Sequence, residues 1–214
     1  VYITFYNIFN ISWMEAVSLH IHDKDINEFF NRTFNVALRF FVAMGMGIIA
    51  CMPFAYPLLL HEKFRDGYVL VPILIVASLF NVVVGLISVI YVAKKNTKAI
   101  ANTSFVSAIL NITIHLILIR YVGLYAAAIS TLASFFIMSI YRLYDINKHY
   151  FKIQMDPKFL IFTVFVASFI LVCYYVSNWK LQVIALVAAI CYAVIVNKNI
   201  FRFIVRLFKQ KMKR

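Results

Sequence analysis

Apolar residues fall into long blocks separated by short polar clusters along the 214-residue chain. A helix rises about 1.5 Å per residue, so about 20 apolar residues cross the hydrocarbon core of a bilayer. Seven blocks approach that length: Val1–Leu19, Phe40–Leu60, Tyr68–Ala93, Ala99–Ile119, Tyr121–Ile140, Phe159–Ser177 and Leu181–Val196. The first is the most polar, carrying Asn7, Asn10, Ser12 and Glu15. The third is long enough to tilt. The expected fold is all-α, a polytopic membrane protein with about seven transmembrane helices.

Composition narrows the class. The chain is 64% hydrophobic and 14% charged, against about 45–50% and about 25% in soluble domains. That excludes an ordinary soluble domain, and it excludes disorder, which needs little apolar material. A net charge of +13 would suit a nucleic-acid binder, but a mean hydropathy of +0.89 does not. No nucleic-acid partner is expected, and membrane lipids are.

The charges sort by side of the membrane. Lys24, Arg32, Arg39, Lys94, Lys95, Lys98, Arg142, Lys148, Lys152, Lys158 and the basic tail put seventeen Lys and Arg on one side. Lys63, Arg65, Arg120 and Lys180 put four on the other. The positive-inside rule places the first side, and the C-terminus, in the cytoplasm. In the tail, Arg202, Arg206, Lys209 and Lys213 share a helical face opposite Phe201, Ile204 and Phe208, the pattern of a helix lying on anionic lipid. Trp179, Lys180, Tyr174 and Tyr175 form the opposite interfacial belt. The expected organisation is a five-span bundle over 1–143, a basic cytoplasmic loop over 144–158, two further spans over 159–197 and an amphipathic tail over 198–214. The chain opens at Val1 inside an apolar stretch, which reads as the continuation of a longer protein.

Polar groups inside spans are costly and face a partner or a cavity. Glu15, near the inner end of the first span, either lines a substrate or proton path, or reaches the headgroups or pairs with Arg39. Asn111 and His115 lie one turn apart on one face, as a polar cavity wall or as hydrogen-bonding partners of a neighbouring helix. Asn81 and Gly85, with Gly45 and Gly47, have the look of close-packing faces. Pro53 and Pro57 sit one turn apart and make either a hinge or a static kink. Cys51, Cys173 and Cys191 are far apart, each in an apolar run, and are expected to be buried without disulfide or metal roles. No phosphate loop, HExxH or GxSxG motif occurs. No enzyme activity, metal or cofactor is expected.

Several stretches, in order, carry a resemblance: Ser12-Trp13-Met14-Glu15-Ala16, the acidic-aromatic Asp25–Phe34, Tyr68–Ile75 with Pro72, the turn Tyr91–Lys98, and Asn111 through Gly123-Leu124-Tyr125-Ala126-Ala127 to Thr131. From about Ser12 to Ile153 the chain resembles the C-terminal half of bacterial polysaccharide-transport proteins. These form the oligosaccharide-flippase branch of the multidrug/oligosaccharidyl-lipid/polysaccharide exporter superfamily. The chain departs from the pattern at Arg120, Ala126 and His115.

The resemblance implies two six-helix bundles in a V with two extra C-terminal helices, this chain supplying the eighth to fourteenth. It implies flipping of a polyprenyl-pyrophosphate-linked oligosaccharide across the bacterial cytoplasmic membrane for surface polysaccharide synthesis. A polysaccharide polymerase or glycosyltransferases would be neighbours. Asn7, Trp13, Glu15, Asn81, Asn111 and His115 would line the path, and Arg39 would attract the pyrophosphate. The alternatives are a cation-coupled exporter of small molecules, for which Glu15 would be one acidic ligand, and a non-transporting remnant. A glycan polymerase would need a large outward loop, whereas these loops have about 7, 1 and 3 residues.

Overall fold

A computed structural model describes residues 2–59, 65–176 and 178–198. Among them are eight helices: α1 (Tyr2–His20), α2 (Ile26–Leu59), α3 (Arg65–Tyr68), α4 (Val71–Ala93), α5 (Thr97–Val122), α6 (Tyr125–His149), α7 (Pro157–Tyr175) and α8 (Trp179–Val196). No strand occurs among the described residues. Six helices, α2 and α4–α8, are long and apolar enough to cross a membrane. The protein is therefore an all-α polytopic membrane protein. The expected first span does form a helix, α1, but its two Asn, Glu15 and His20 keep it outside those six.

Two helices overrun their expected ends. The second was expected from Phe40, yet α2 starts at Ile26 and runs 34 residues, about 51 Å. That exceeds a hydrocarbon core of about 30 Å, so the polar first turns extend beyond the apolar block. The fifth was expected to stop at Ile140, yet α6 continues to His149. The first six residues of the 144–158 segment are thus helical. Of the tail expected to be amphipathic, Asn199 to Arg214 lie outside the described residues, as do Lys63 and the side chain of Arg65.

The chain divides into two compact units. The first contains α1, the start of α2 through Asn35, and α3–α6 through Met155. Helix α4 is its centre and packs against α1 and α6, while α5 packs mainly on α6. A run rich in Val, Ile and Leu buries Val82, Leu86, Ile87 and Ile90 all around the C-terminal half of α4. On α1, Tyr2, Tyr6, Trp13 and Val17 form the buried face. The Trp13 indole donates to the Leu86 carbonyl at 3.1 Å and packs on Phe30 at 5.1 Å between ring centroids. At Gly85 a β-carbon would collide with the Tyr6 phenol, so the expected close packing holds there. It does not hold at Gly47, where a β-carbon would meet nothing within 4 Å.

The α4–α5 turn is a Schellman motif built on lysine. Lys95 takes φ 59°, the Lys95 N–H bonds the Val92 carbonyl at 2.9 Å, and the Asn96 N–H bonds that of Tyr91 at 2.8 Å. Asn96 then caps α5, accepting from the Ala99 N–H. The connection after α6 is held by α2. Asn31 donates to the Lys152 carbonyl at 2.9 Å and accepts from the Gln154 N–H at 2.7 Å, and Asn35 donates to the Gln154 carbonyl at 2.7 Å.

The second unit contains the rest of α2 from Val36, with α7 and α8. Asp156 caps α7, with Pro157 at its first turn, and the same carboxylate meets Arg39 at 3.3 Å. Asn178 caps α8. Tyr192 and Thr163 share a 2.6 Å hydrogen bond between α7 and α8. Cys173 is buried, but Cys51 and Cys191 are exposed, contrary to expectation. On a membrane helix the outward face meets hydrocarbon, where a thiol behaves as a small apolar group.

Candidate functional site

Polar residues recur along the buried face of α6: Ser130, Ser134 and Arg142, with Ser139 beside them. Spacings of four and eight residues, with Met138 between, keep Ser130, Ser134 and Arg142 on one stripe. Small serines let the facing helix approach closely, and in hydrocarbon each hydroxyl must find a bond. Helix α5 answers in antiparallel order. Ser130 donates to Asn111 Oδ1 at 3.2 Å, Ser107 donates to the Ser134 carbonyl at 3.3 Å, and Arg142 reaches Thr103 and Ser104.

Arg142 is 2% exposed and is among the largest fully buried side chains. Its Nε donates to Thr103 Oγ1 at 3.1 Å, and Nη2 donates to the same oxygen at 2.8 Å. Nη2 also donates to Ser104 Oγ at 3.1 Å and the Ile100 carbonyl at 3.4 Å. Nη1 donates to Ser88 Oγ on α4. All three nitrogens are engaged, yet every acceptor is neutral. Among the described residues no carboxylate pairs with this guanidinium; the ion pairs are His20–Asp23, Arg39–Asp156 and His149–Asp145. The nearest acid along α6, Asp145, is spoken for by Tyr91, whose hydroxyl donates at 2.6 Å, and by His149 at 3.0 Å.

The layer has a definite depth. Arg142 lies seven residues before the end of α6, Thr103 six after the start of α5, and Ser88 five before the end of α4. All are about 8–10 Å in from helix ends on one side. That side holds the α4–α5 turn and the end of α6, joined by Asn96 donating to the Tyr150 hydroxyl at 3.0 Å. A charge at the centre of a bilayer costs at least about 2.5–3.5 kcal/mol. Hydrogen bonds to a charged group return about 1.5–3 kcal/mol each, so the hydroxyl cage can hold the charge without neutralising it.

Beside this layer, α5 and α6 leave an open-sided pocket of about 240 Å³. It is lined by Asn102, Thr103, Val106, Ser107 and Leu110 of α5 and by Ile137, Met138 and Tyr141 of α6. Thr103 both lines the pocket and accepts from Arg142.

The residues singled out from sequence scatter. Asn111 joins the α5–α6 seam, donating to Thr131 Oγ1 at 3.5 Å, and His115 is half-buried one turn on. Asn7 and Glu15 are exposed on α1, away from its packed face. Trp13 is instead 2% exposed, packs in the core and anchors α1 to α4. Asn81 is half-buried in α4. Arg39 takes Asp156, and its guanidinium lies over the Phe159 ring at 5.2 Å. Pro53 and Pro57 lie inside α2, which stays helical through both. Sequence reasoning missed Arg142, Ser88, Thr103 and Ser104. The available signal was the spacing of Ser130, Ser134 and Arg142 by multiples of four.

No protein-family model matches the chain, and no curated protein or solved structure is similar to it.

Proposed function

We propose that the protein takes part in moving a polyprenyl-pyrophosphate-linked oligosaccharide across the bacterial cytoplasmic membrane, with its C-terminus in the cytoplasm. The observation that carries this reading is Arg142: a fixed positive charge, held within membrane helices by three hydroxyls and one backbone carbonyl and left without a carboxylate partner among the described residues. A charge kept in low dielectric at such cost acts on a mobile anion more strongly than one in water. Ser104, itself exposed, stands one hydroxyl away from the guanidinium. The depth of the layer, about 8–10 Å from the helix ends, suits a pyrophosphate leaving the cytoplasmic headgroup region. The motif order from Ser12 to Thr131 and the asymmetry of Lys and Arg support the same reading. Glu15 and Asn7, exposed on α1, supply hydroxyl-binding groups of the kind a glycan needs.

The test is complementation of a strain that lacks its polysaccharide flippase by the gene encoding this chain. Restored surface glycan that is lost in Arg142→Met and reduced in Glu15→Gln, at equal membrane levels, supports the reading. Failure of the unaltered gene to restore glycan overturns it. Full restoration by both variants overturns the site assignment.

A further inference from the structure

We infer that the pocket between α5 and α6 is a binding site for an anionic phospholipid of the surrounding bilayer. Its lining changes character along the helices as a lipid does. Beyond the lining, toward the helix ends, Lys98 is exposed one turn before Asn102, and on α6 Lys148, two turns after Tyr141, lies over the Tyr144 ring at 5.8 Å. Next come Asn102 and the half-exposed Tyr141, at the depth of glycerol and ester oxygens. Deeper still are Val106 and Leu110, about 14 and 20 Å from the start of α5, which is acyl-chain depth. Cations, then hydrogen-bonding groups, then aliphatic side chains match a phosphate, a glycerol backbone and a chain in that order.

Charge selects the anionic headgroup. Arg142 stands directly behind Thr103 and bonds no carboxylate among the described residues, while Asp145, one turn on, is engaged by Tyr91 and His149. The outer walls agree, since Val106 is 56% exposed, and Tyr141 is 55% exposed, leaving the groove open along its length to the bilayer. This inference stands on the groove and its charges and does not depend on the transport reading.

The probe is a nanodisc containing equal amounts of phosphatidylglycerol and phosphatidylcholine, from which the full chain is released for native mass spectrometry. The unaltered chain is expected to retain phosphatidylglycerol selectively. The Val106→Phe variant, which fills the groove from an exposed position, is expected to lose that adduct. Lys98→Gln and Lys148→Gln are each expected to lower the preference, by up to about fivefold for a lysine near the surface. Unchanged helicity by circular dichroism shows that the variants fold. General attraction of anionic lipid to a basic surface would survive Val106→Phe, so retention of the preference in that variant overturns the proposal. Equal retention of the two lipids by the unaltered chain also overturns it. So does displacement of the bound phosphatidylglycerol by an isoprenyl diphosphate, which would give the groove to a different occupant.

Discussion

Replacing Arg142 by methionine should leave the fold as stable as before, or more so. The reasoning starts from its partners. Removing one member of a buried ion pair costs about 3–5 kcal/mol because the other charge is stranded. Here the described acceptors are hydroxyls and a carbonyl, so nothing charged is stranded. The hydroxyls have other bonds ready: Thr103 donates to the Ala99 carbonyl at 2.8 Å, and Ser88 to that of Val84. Methionine also removes the cost of holding a cation in hydrocarbon. We expect Arg142→Met to fall within about 1 kcal/mol of the parent, or above it. Thr103→Val does the opposite. It keeps the shape and the charge but takes away the oxygen that accepts from both Nε and Nη2, at a cost of about 2–3 kcal/mol. Placed on the Arg142→Met background, the same substitution should cost less than about 1 kcal/mol. The double-mutant cycle therefore predicts a coupling of about 2 kcal/mol, read from reversible unfolding in mixed detergent micelles. Additive single effects, or a loss above about 3 kcal/mol from Arg142→Met alone, would refute the account of a caged, unpaired charge.

Other substitutions probe separate parts of the structure. Gly85→Ala forces a β-carbon against the Tyr6 phenol and should cost about 1–3 kcal/mol, with part of the loss recovered by adding Tyr6→Leu; thermal unfolding of the three proteins checks this. Lys95→Gly relieves a left-handed residue at φ 59° and should stabilise the α4–α5 turn by about 1 kcal/mol, whereas Lys95→Val should destabilise it. Asp156→Ala removes the α7 cap together with the Arg39 partner and should cost about 1–2 kcal/mol. Asp156→Asn keeps a capping oxygen and should lose less than about 1 kcal/mol, because the ion pair is partly exposed. Glu15→Leu, at an exposed position of α1, should change stability by no more than about 0.5 kcal/mol while lowering surface-glycan restoration. A variant that restores glycan as well as the parent would remove Glu15 from the path.

Hydropathy reports where a helix lies in lipid, and backbone hydrogen bonding decides where it stops. That difference explains what was legible in the chain. The apolar blocks marked α4, α5, α7 and α8 to within a few residues because their ends coincide with turns: Asn96, Gly123, Asp156 and Asn178 each sit at a helix boundary. Where polar residues continue a helix, the blocks end too soon, as at Ile26–Arg39 of α2 and Tyr141–His149 of α6. Arg142 was misplaced for the same reason. A charge at the edge of an apolar block reads as a loop residue because charges need water. Three hydroxyls can stand in for that water, but Ser88, Thr103 and Ser104 come from two other helices, and no window along one segment brings them together. Helical period does carry information that block hydropathy discards. On α1 it separates Trp13, in phase with Tyr2, Tyr6 and Val17, from Glu15 on the opposite side, so the two never shared a face. Moving Arg142 from the loop count to the helix interior leaves the Lys and Arg asymmetry in place. The topology argument therefore never needed Arg142, and a residue that topology does not need, kept charged inside the bundle, is the one whose retention calls for a functional cause.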